Sequence, residues 1–391
     1  VCSSDLQAQE EPKSQFSVEK GLRFTAKDNS ASLKFGVRIQ PLFTLNYRDF
    51  ERLTNPDLDE VSMSVRRARL KFDGHVFDPR WVYKLELALG NRNLGGTGEQ
   101  TSFGARLILD AVIKYEFAPG YFLWFGQTKL PGNRERVISS QKLQFVDRSI
   151  VNGRFNIDRD MGFQLHMNKK IGENPIKLAA AISMGEGRNI TDNNAGGLEY
   201  TLRAEYLPFG AFKGKGDYSE GDLERQETQK LSIGVTYDLN DHAVRQRGNQ
   251  GSYLLDENGQ LYMQSLSTWF VDMIWKYQGW SILSEYALKS ADQPILFDSN
   301  MDRINSFYTG WGITAQGSYC FKSNWELAGR YSHVDPDQGV GVNLGDQDQV
   351  TLVVSRYISG HRLKVQSDIT YTEYEFANGE WQYRLQIELG F

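Results

Sequence analysis

Apolar and polar residues alternate with a period of two through most of this chain, the mark of strands with one apolar and one polar face. Near the start, Leu33, Phe35, Val37 and Ile39 alternate with Lys34, Gly36, Arg38 and Gln40. Trp81, Tyr83, Leu85, Leu87 and Leu89 follow against Lys84 and Glu86, then Leu107, Leu109, Ala111, Ile113 and Tyr115 against Asp110, Lys114 and Glu116. Later, Leu231, Ile233, Val235 and Tyr237 stand against Lys230, Ser232 and Thr236, and Trp325, Leu327 and Tyr331 against Glu326 and Arg330. None of these stretches has helical spacing. About sixteen strands are predicted, near 33–47, 62–76, 81–90, 105–117, 121–129, 159–169, 175–184, 198–208, 229–239, 267–278, 279–289, 309–321, 324–334, 348–358, 361–374 and 380–391.

The connections between them alternate in length. Short ones fall at 77–80, 118–120, 278–279, 322–323 and 359–360, and long ones at 48–61, 91–106, 130–158, 185–197, 240–266, 290–308 and 335–347. Transmembrane barrels of the outer membrane have short periplasmic turns and long extracellular loops, whereas a soluble sandwich has no reason to keep its two ends so unequal. The stretch 209–228 breaks the rule, because it should be a periplasmic turn and is long and charged. The last strand ends on alternation too: Tyr383, Leu385, Ile387, Leu389 and the terminal Phe391 face one way, as outer-membrane barrels commonly end. The expected fold is therefore all-β, one transmembrane antiparallel barrel over 31–391, integral to the bacterial outer membrane, preceded by an N-terminal periplasmic segment, 1–30.

Composition narrows the class further. Apolar runs such as 178–184 are far too short for a spanning helix, and the mean hydropathy is −0.50. Aromatic content is high, with 22 Phe, 19 Tyr and 8 Trp, which suits girdles at the two membrane interfaces. A net charge of −5 argues against a nucleic-acid partner. Cys2 and Cys320 form neither a disulfide framework nor a metal spacing. Cys2 has no lipobox before it, and Val1-Cys2-Ser3-Ser4 reads better as a scar than as a lipidation site. A hydrophobic signal segment is absent, as in a mature exported form.

Several runs then look familiar: Gly36-Val37-Arg38-Ile39-Gln40, Arg66-Arg67-Ala68-Arg69-Leu70, Phe125-Gly126-Gln127-Thr128-Lys129-Leu130-Pro131 and Asp158-Arg159-Asp160-Met161-Gly162. In order and placement they resemble the phosphate-selective porin O and P family. Gly214-Lys215-Gly216-Asp217-Tyr218 and Glu220-Gly221-Asp222-Leu223 resemble its Bacteroidetes branch. The resemblance implies a sixteen-stranded, usually homotrimeric porin that passes small anions such as phosphate along arginines and lysines, with outer-membrane lipid and lipopolysaccharide around it. By position in that family, Lys129 and Arg148 are candidates to line the pore.

The residues themselves suggest where anions would be held. Arg38 has the water-facing parity of the first strand. On the second, Ala68, Leu70 and Phe72 look outward, which places Arg67, Arg69 and Lys71 inside. Before them Val61, Met63 and Val65 carry the opposite parity, so a β-bulge at Arg66-Arg67 is predicted, able to turn both guanidiniums inward. Guanidinium forks match phosphate oxygens bidentately. Against this stands the reading that lumen charges only pair with one another, as Lys84 with Glu86 or Lys114 with Asp110 and Glu116. Parity leaves Lys129 open, because either Phe122 and Trp124 or Leu123 and Phe125 could face lipid. The segment 130–158 is expected to fold inward, with Arg134, Arg136, Lys142 and Arg148 against Glu135 and Asp147; a solvated loop is the alternative for Arg134 and Arg136. Asp335, Asp337, Asp346 and Asp348 crowd a late loop, where a solvated acidic loop is favoured over a calcium site.

An enzyme is not expected. His75, His166, His242, His333 and His361 are scattered, and no nucleophile elbow, zinc helix or phosphate loop occurs. Neither cofactor nor metal is implied. Besides an anion porin, two readings stay open: a general porin for small polar solutes, and a structural barrel whose acidic loops bind surface proteins.

Overall fold

Strands that bury one face in lipid must pair along both edges, because no water is there to satisfy their amides, and the chain meets this demand by closing its sheet. The computed structural model describes residues 15–17, 22–47, 60–90, 106–340 and 344–391. Sixteen strands close the sheet: β1 (Ala31–Tyr47), β2 (Glu60–Val76), β3 (Asp78–Ala88), β4 (Ile108–Ala118), β5 (Tyr121–Lys129), β6 (Arg159–Ile171), β7 (Asn174–Ser183) and β8 (Glu199–Tyr206), then β9 (Lys230–Ala243), β10 (Gln264–Tyr277), β11 (Trp280–Ser290), β12 (Gly310–Cys320), β13 (Trp325–Pro336), β14 (Gln347–Ser359), β15 (Leu363–Tyr374) and β16 (Glu380–Gly390). Each pairs antiparallel with its sequence neighbour, and β16 returns to β1 with Leu389 opposite Ile39 and Gln386 opposite Leu42. Every strand predicted from alternation is present.

The turns 119–120, 172–173 and 278–279 share one end with the chain terminus, where Val37 and Phe391 exchange main-chain hydrogen bonds of 3.0 Å. Ahead of β1, Leu22–Thr25 extends the sheet by pairing with 32–35, and Gln15–Ser17 pairs in turn with Leu22–Thr25. At the opposite end the loops are long, apart from 375–379; within one of them Ile295–Phe297 and Arg303–Ser306 form a hairpin. The predicted loops 48–61 and 91–106 lie mostly outside the described residues.

Outward positions are apolar and exposed, as Ile113, Phe163, Leu202 and Leu352 show. One face assignment is corrected. Glu86 pairs with Asp110 but Leu87 with Ile108, so Leu109 is skipped in the register and turns inward while Ile108 looks out. On β5, Gly126 adopts φ 131°; a Cβ there would lie 2.2 Å from the Ala111 carbonyl oxygen, so only glycine allows this approach.

The core sits inside the barrel. The loop 130–158 folds into the lumen through two short helices, α1 (Arg134–Val137) and α2 (Ile150–Phe155), the second capped by Ser149 Oγ accepting from Asn152 N–H. Its Leu130, Val151, Phe155 and Ile157 pack on Phe270, Ala287 and Val334 from the inner wall. The segment 207–229 also folds back inside: Leu207 and Phe212 join Ile138 and Leu143 of the loop against Ile274 and Leu283. Its length is thus explained, since it plugs the lumen rather than turning outside it.

Candidate functional site: the lumen

Because the two inward segments pack against β9–β16, the open part of the lumen is displaced toward β2–β8. A cavity of about 1160 Å³ runs there, lined by those strands, by the inner edge of 130–158, and by parts of 207–218 and 245–251.

The predicted bulge is present. Gln40 faces Arg67 and Pro41 faces Val65, which leaves Arg66 as the extra residue of β2. Arg66 Nη2 and Arg67 Nη2 reach the same oxygen, Asp147 Oδ1 on the inward loop, at 2.8 and 3.1 Å, and Arg67 Nη1 donates to Gln40 Oε1 at 2.8 Å. Burial works against the charge of Asp147, but Arg67, Arg66 and Arg384 outweigh it and hold the carboxyl well below the usual range. The pair therefore anchors the inward loop as well as lining the cavity. Arg69 pairs with Glu86 at 2.8 Å, and Lys71 stands exposed on the cavity wall with no ion pair among the described residues.

Leu123 and Phe125 are the lipid-facing pair of β5, so Phe122 and Trp124 face inward; Lys129, the last residue of the strand, has the lipid parity and reaches the cavity against it. Lys129 Nζ donates to the carbonyls of Arg136, Val137 and Ile138 at 2.6, 3.2 and 3.1 Å, closing the C-terminal end of α1 where carbonyls lack partners. Arg148 does the same for the carbonyls of Glu135 and Ile138, at 2.7 and 2.8 Å; burial and then the neighbouring Arg136 bring its guanidinium down to about 10. Both line the cavity, but their hydrogen bonds are spent on holding the loop.

Arg38 lies elsewhere. Its guanidinium is buried against Glu388 and donates to Ser140 Oγ at 2.8 Å, and it does not reach the cavity. Parity alone could not show that a loop would cover it. Arg134 and Arg136 are not solvated either. Arg134 is fully buried on Asp272 at 2.5 Å, while Arg136 meets Asp158 at the cavity edge. Lys84 joins Glu86 at 3.1 Å and also Asp110, whereas Lys114 lies over the Trp124 ring instead of on a carboxylate.

The sequence reading missed Arg159, Arg188, Arg203, Arg245 and Arg247, which also line the cavity. Arg203 has the inward parity of β8, on the face opposite the exposed Tyr200 and Leu202. Arg159 instead opens β6 with the parity of the lipid-facing Met161 and Phe163, and Arg188, Arg245 and Arg247 come from loops and left no periodic signal. Among the described lining residues, nineteen are arginine or lysine and six are aspartate or glutamate. An acidic chain achieves this by hiding its acids. Asp272, Glu285, Glu326, Asp368 and Glu388 also point inward but are buried on the covered side. In the late acidic loop, Asp335 and Asp346 come together with His333, their candidate donor atoms within 4.8 Å of one another. Asp348 instead bonds Tyr331 and His333.

A family model described as phosphate-selective porin O and P matches residues 42–376. The chain belongs to this family. The porin is accordingly an integral outer-membrane protein, a channel fold rather than an enzyme fold. A curated relative from Aquifex aeolicus (strain VF5), described as an uncharacterized protein, is 22% identical over 388 residues, covering 92% of this chain and 87% of its own. Among solved structures, Salmonella typhi OmpF in complex with daunomycin matches with a TM-score of 0.59 at 11% identity, covering 93% of this porin and 99% of that chain. The outer membrane channel DcaP of Acinetobacter baumannii gives 0.57 at 13%, covering 95% and 100%. An anion-selective porin from Comamonas acidovorans gives 0.54 at 10%, covering 92% and 100%. At such identities the likeness is one of fold.

Proposed function

We propose that this porin is a water-filled diffusion channel for small anionic solutes such as phosphate, with its short-turn end and residues 1–30 in the periplasm. The observation that carries the reading is the threefold excess of basic over acidic side chains around the open lumen of a chain whose net charge is −5. Low-dielectric walls focus that potential and raise the local anion concentration. The lining guanidiniums, Arg66 and Arg67 among them, carry forks matched to phosphate oxygens. The test is the reversal potential of single channels in planar bilayers under a KCl gradient, at low and high salt. Anions are expected to be favoured, more at 0.1 M than at 1 M, because the Debye length shrinks from about 10 to about 3 Å. Lys71→Gln with Arg69→Gln should lower the anion-to-cation ratio several-fold. A wild-type channel that prefers cations refutes the reading and leaves a general porin.

We also propose a homotrimer. Support comes from small outward residues that make a flat patch: Ser284 opposite Ala315, and Gly317 opposite Gly329. A monomeric mass in mild detergent, constant across concentration, would refute it.

A further inference from the structure

The lumen wall changes character toward the short-turn end. Porin interiors are polar, yet β5 and β6 turn Phe122, Trp124 and His166 into the cavity near that end. Register gathers them, with Phe122 opposite His166 and Trp124 opposite Lys114. The Trp124 and His166 rings are stacked at 4.0 Å, and Lys114 Nζ lies 3.4 Å from the Trp124 ring centre. Trp124 is thereby clamped, and Phe122, half-buried beside it, keeps a face toward the lumen. The plug adds Tyr218 to the same cavity, with Lys177 Nζ 4.5 Å from its ring centre.

The cations differ from those higher up as well. Arginines 66, 67, 136 and 159 line the cavity where the inward loop meets the wall, whereas Lys114 and Lys177 stand over aromatic rings, with Lys71 on the same cavity wall. An ammonium is a compact point charge on a flexible stem that can follow a carboxylate carried on a ring, while the rigid fork of arginine holds carboxylate or phosphate in one fixed plane. Exposed rings gain nothing from inorganic phosphate or chloride; a solute with a flat apolar body covers them, and a ring beside an ammonium adds a cation–π attraction.

We propose that this aromatic-lysine wall is a binding subsite for planar aromatic carboxylates, the solute ring lying against Phe122 and the edge of Trp124 and its carboxylate reaching Lys114. This rests on the anion-channel reading and names a solute class for it. The solute loses none of its charge steering from the arginines above and is retained by the rings below.

Single-channel chloride current provides the test, with sodium benzoate, sodium acetate and benzyl alcohol added in turn. Benzoate should reduce or modulate the current at concentrations about five-fold lower than acetate or benzyl alcohol, in line with the modest worth of an aromatic contact. Phe122→Leu, which keeps apolar volume, and Trp124→Ala should each shrink that gap. Equal effects of benzoate and acetate, benzyl alcohol acting as strongly as benzoate, or a gap intact in both variants would overturn the proposal. The KCl reversal potential of the same channels reports separately on the anion reading, so the two failures are distinguishable.

Discussion

Arg38 on the first strand and Glu388 on the last meet across the seam where the barrel closes, with Arg38 Nη2 3.0 Å from Glu388 Oε2 and Nε against the other carboxylate oxygen. Both side chains are buried, and Gln40 donates to the same carboxylate. Removing one partner of such a pair leaves a bare charge in a dry place, which costs about 3–5 kcal/mol. Arg38→Ala should therefore weaken the barrel, seen as a lower urea midpoint or loss of the heat-modifiable gel shift. Ion selectivity should hardly move, because Arg38 does not line the cavity. A selectivity change with stability intact would put Arg38 back in the pore.

Asp147 is the counterpart on the inward loop. Asp147→Asn should release Arg66 and Arg67, raising anion preference at low salt and increasing current noise as the inward loop loosens. The pH sign follows from a carboxyl held low by those guanidiniums against its burial. Its anchoring is complete above the ordinary value of 3.8, persists as pH falls past it, and is lost only in stronger acid. Noise in the wild type should thus stay flat from pH 7 to pH 4. An increase already at pH 5 would mean that another group holds the loop.

Alternation made the barrel legible, since one face in lipid and one in water is a local rule written into each strand. The bulge at Arg66 was legible for the same reason, as a break in that rule. What alternation could not report is which inward face stays wet. A partial signal lay in large apolar residues at inward positions: β10 carries inward Phe270 and Ile274 between Thr268, Asp272 and Lys276, and β11 carries inward Leu283 and Ala287 between Ser281, Glu285 and Lys289. Apolar side chains that point into a water-filled lumen need a cover. Those strands marked where the loop 130–158 and the plug would lie, and so which half of the lumen would close. The fate of Arg38 and Arg134 followed from that long-range packing rather than from their own neighbourhoods.

Glu220 gives the plug a pH dependence. Burial, reinforced by the charge of Glu135, pushes its carboxyl up to about 7, with the Gln144 N–H, Arg330 and Arg148 pulling the other way. A carboxyl raised from 4.5 to about 7 on folding costs nothing below 4.5 and its full penalty above 7. The 207–229 segment should therefore grip the inward loop more firmly at pH 5 than at pH 8. Hydrogen exchange at 216–222 should be slower at pH 5 after correction for intrinsic rates, and Glu220→Gln should remove most of the difference. Protection that rises with pH would reverse the sign and discard this account.

The plug also makes a sharp prediction about access. Ser219 is buried, with its carbonyl accepting from Lys276 Nζ at 2.8 Å, while Lys215, four residues earlier, is exposed and lines the cavity. A segment looping freely outside the barrel would expose both. A cysteine at 215 in the Cys2→Ser, Cys320→Ser background should react with a charged thiol reagent added at the short-turn side, and the current should fall as the label enters the lumen. A cysteine at 219 should react at least tenfold more slowly from either side until the protein is unfolded, since burial rather than sidedness protects it. Negatively charged reagent should outpace its positive counterpart at position 215, because the basic lining concentrates anions there. Equal, rapid labelling at both positions would show that the plug does not occupy the lumen, and the closed half of the barrel would then be open to solute.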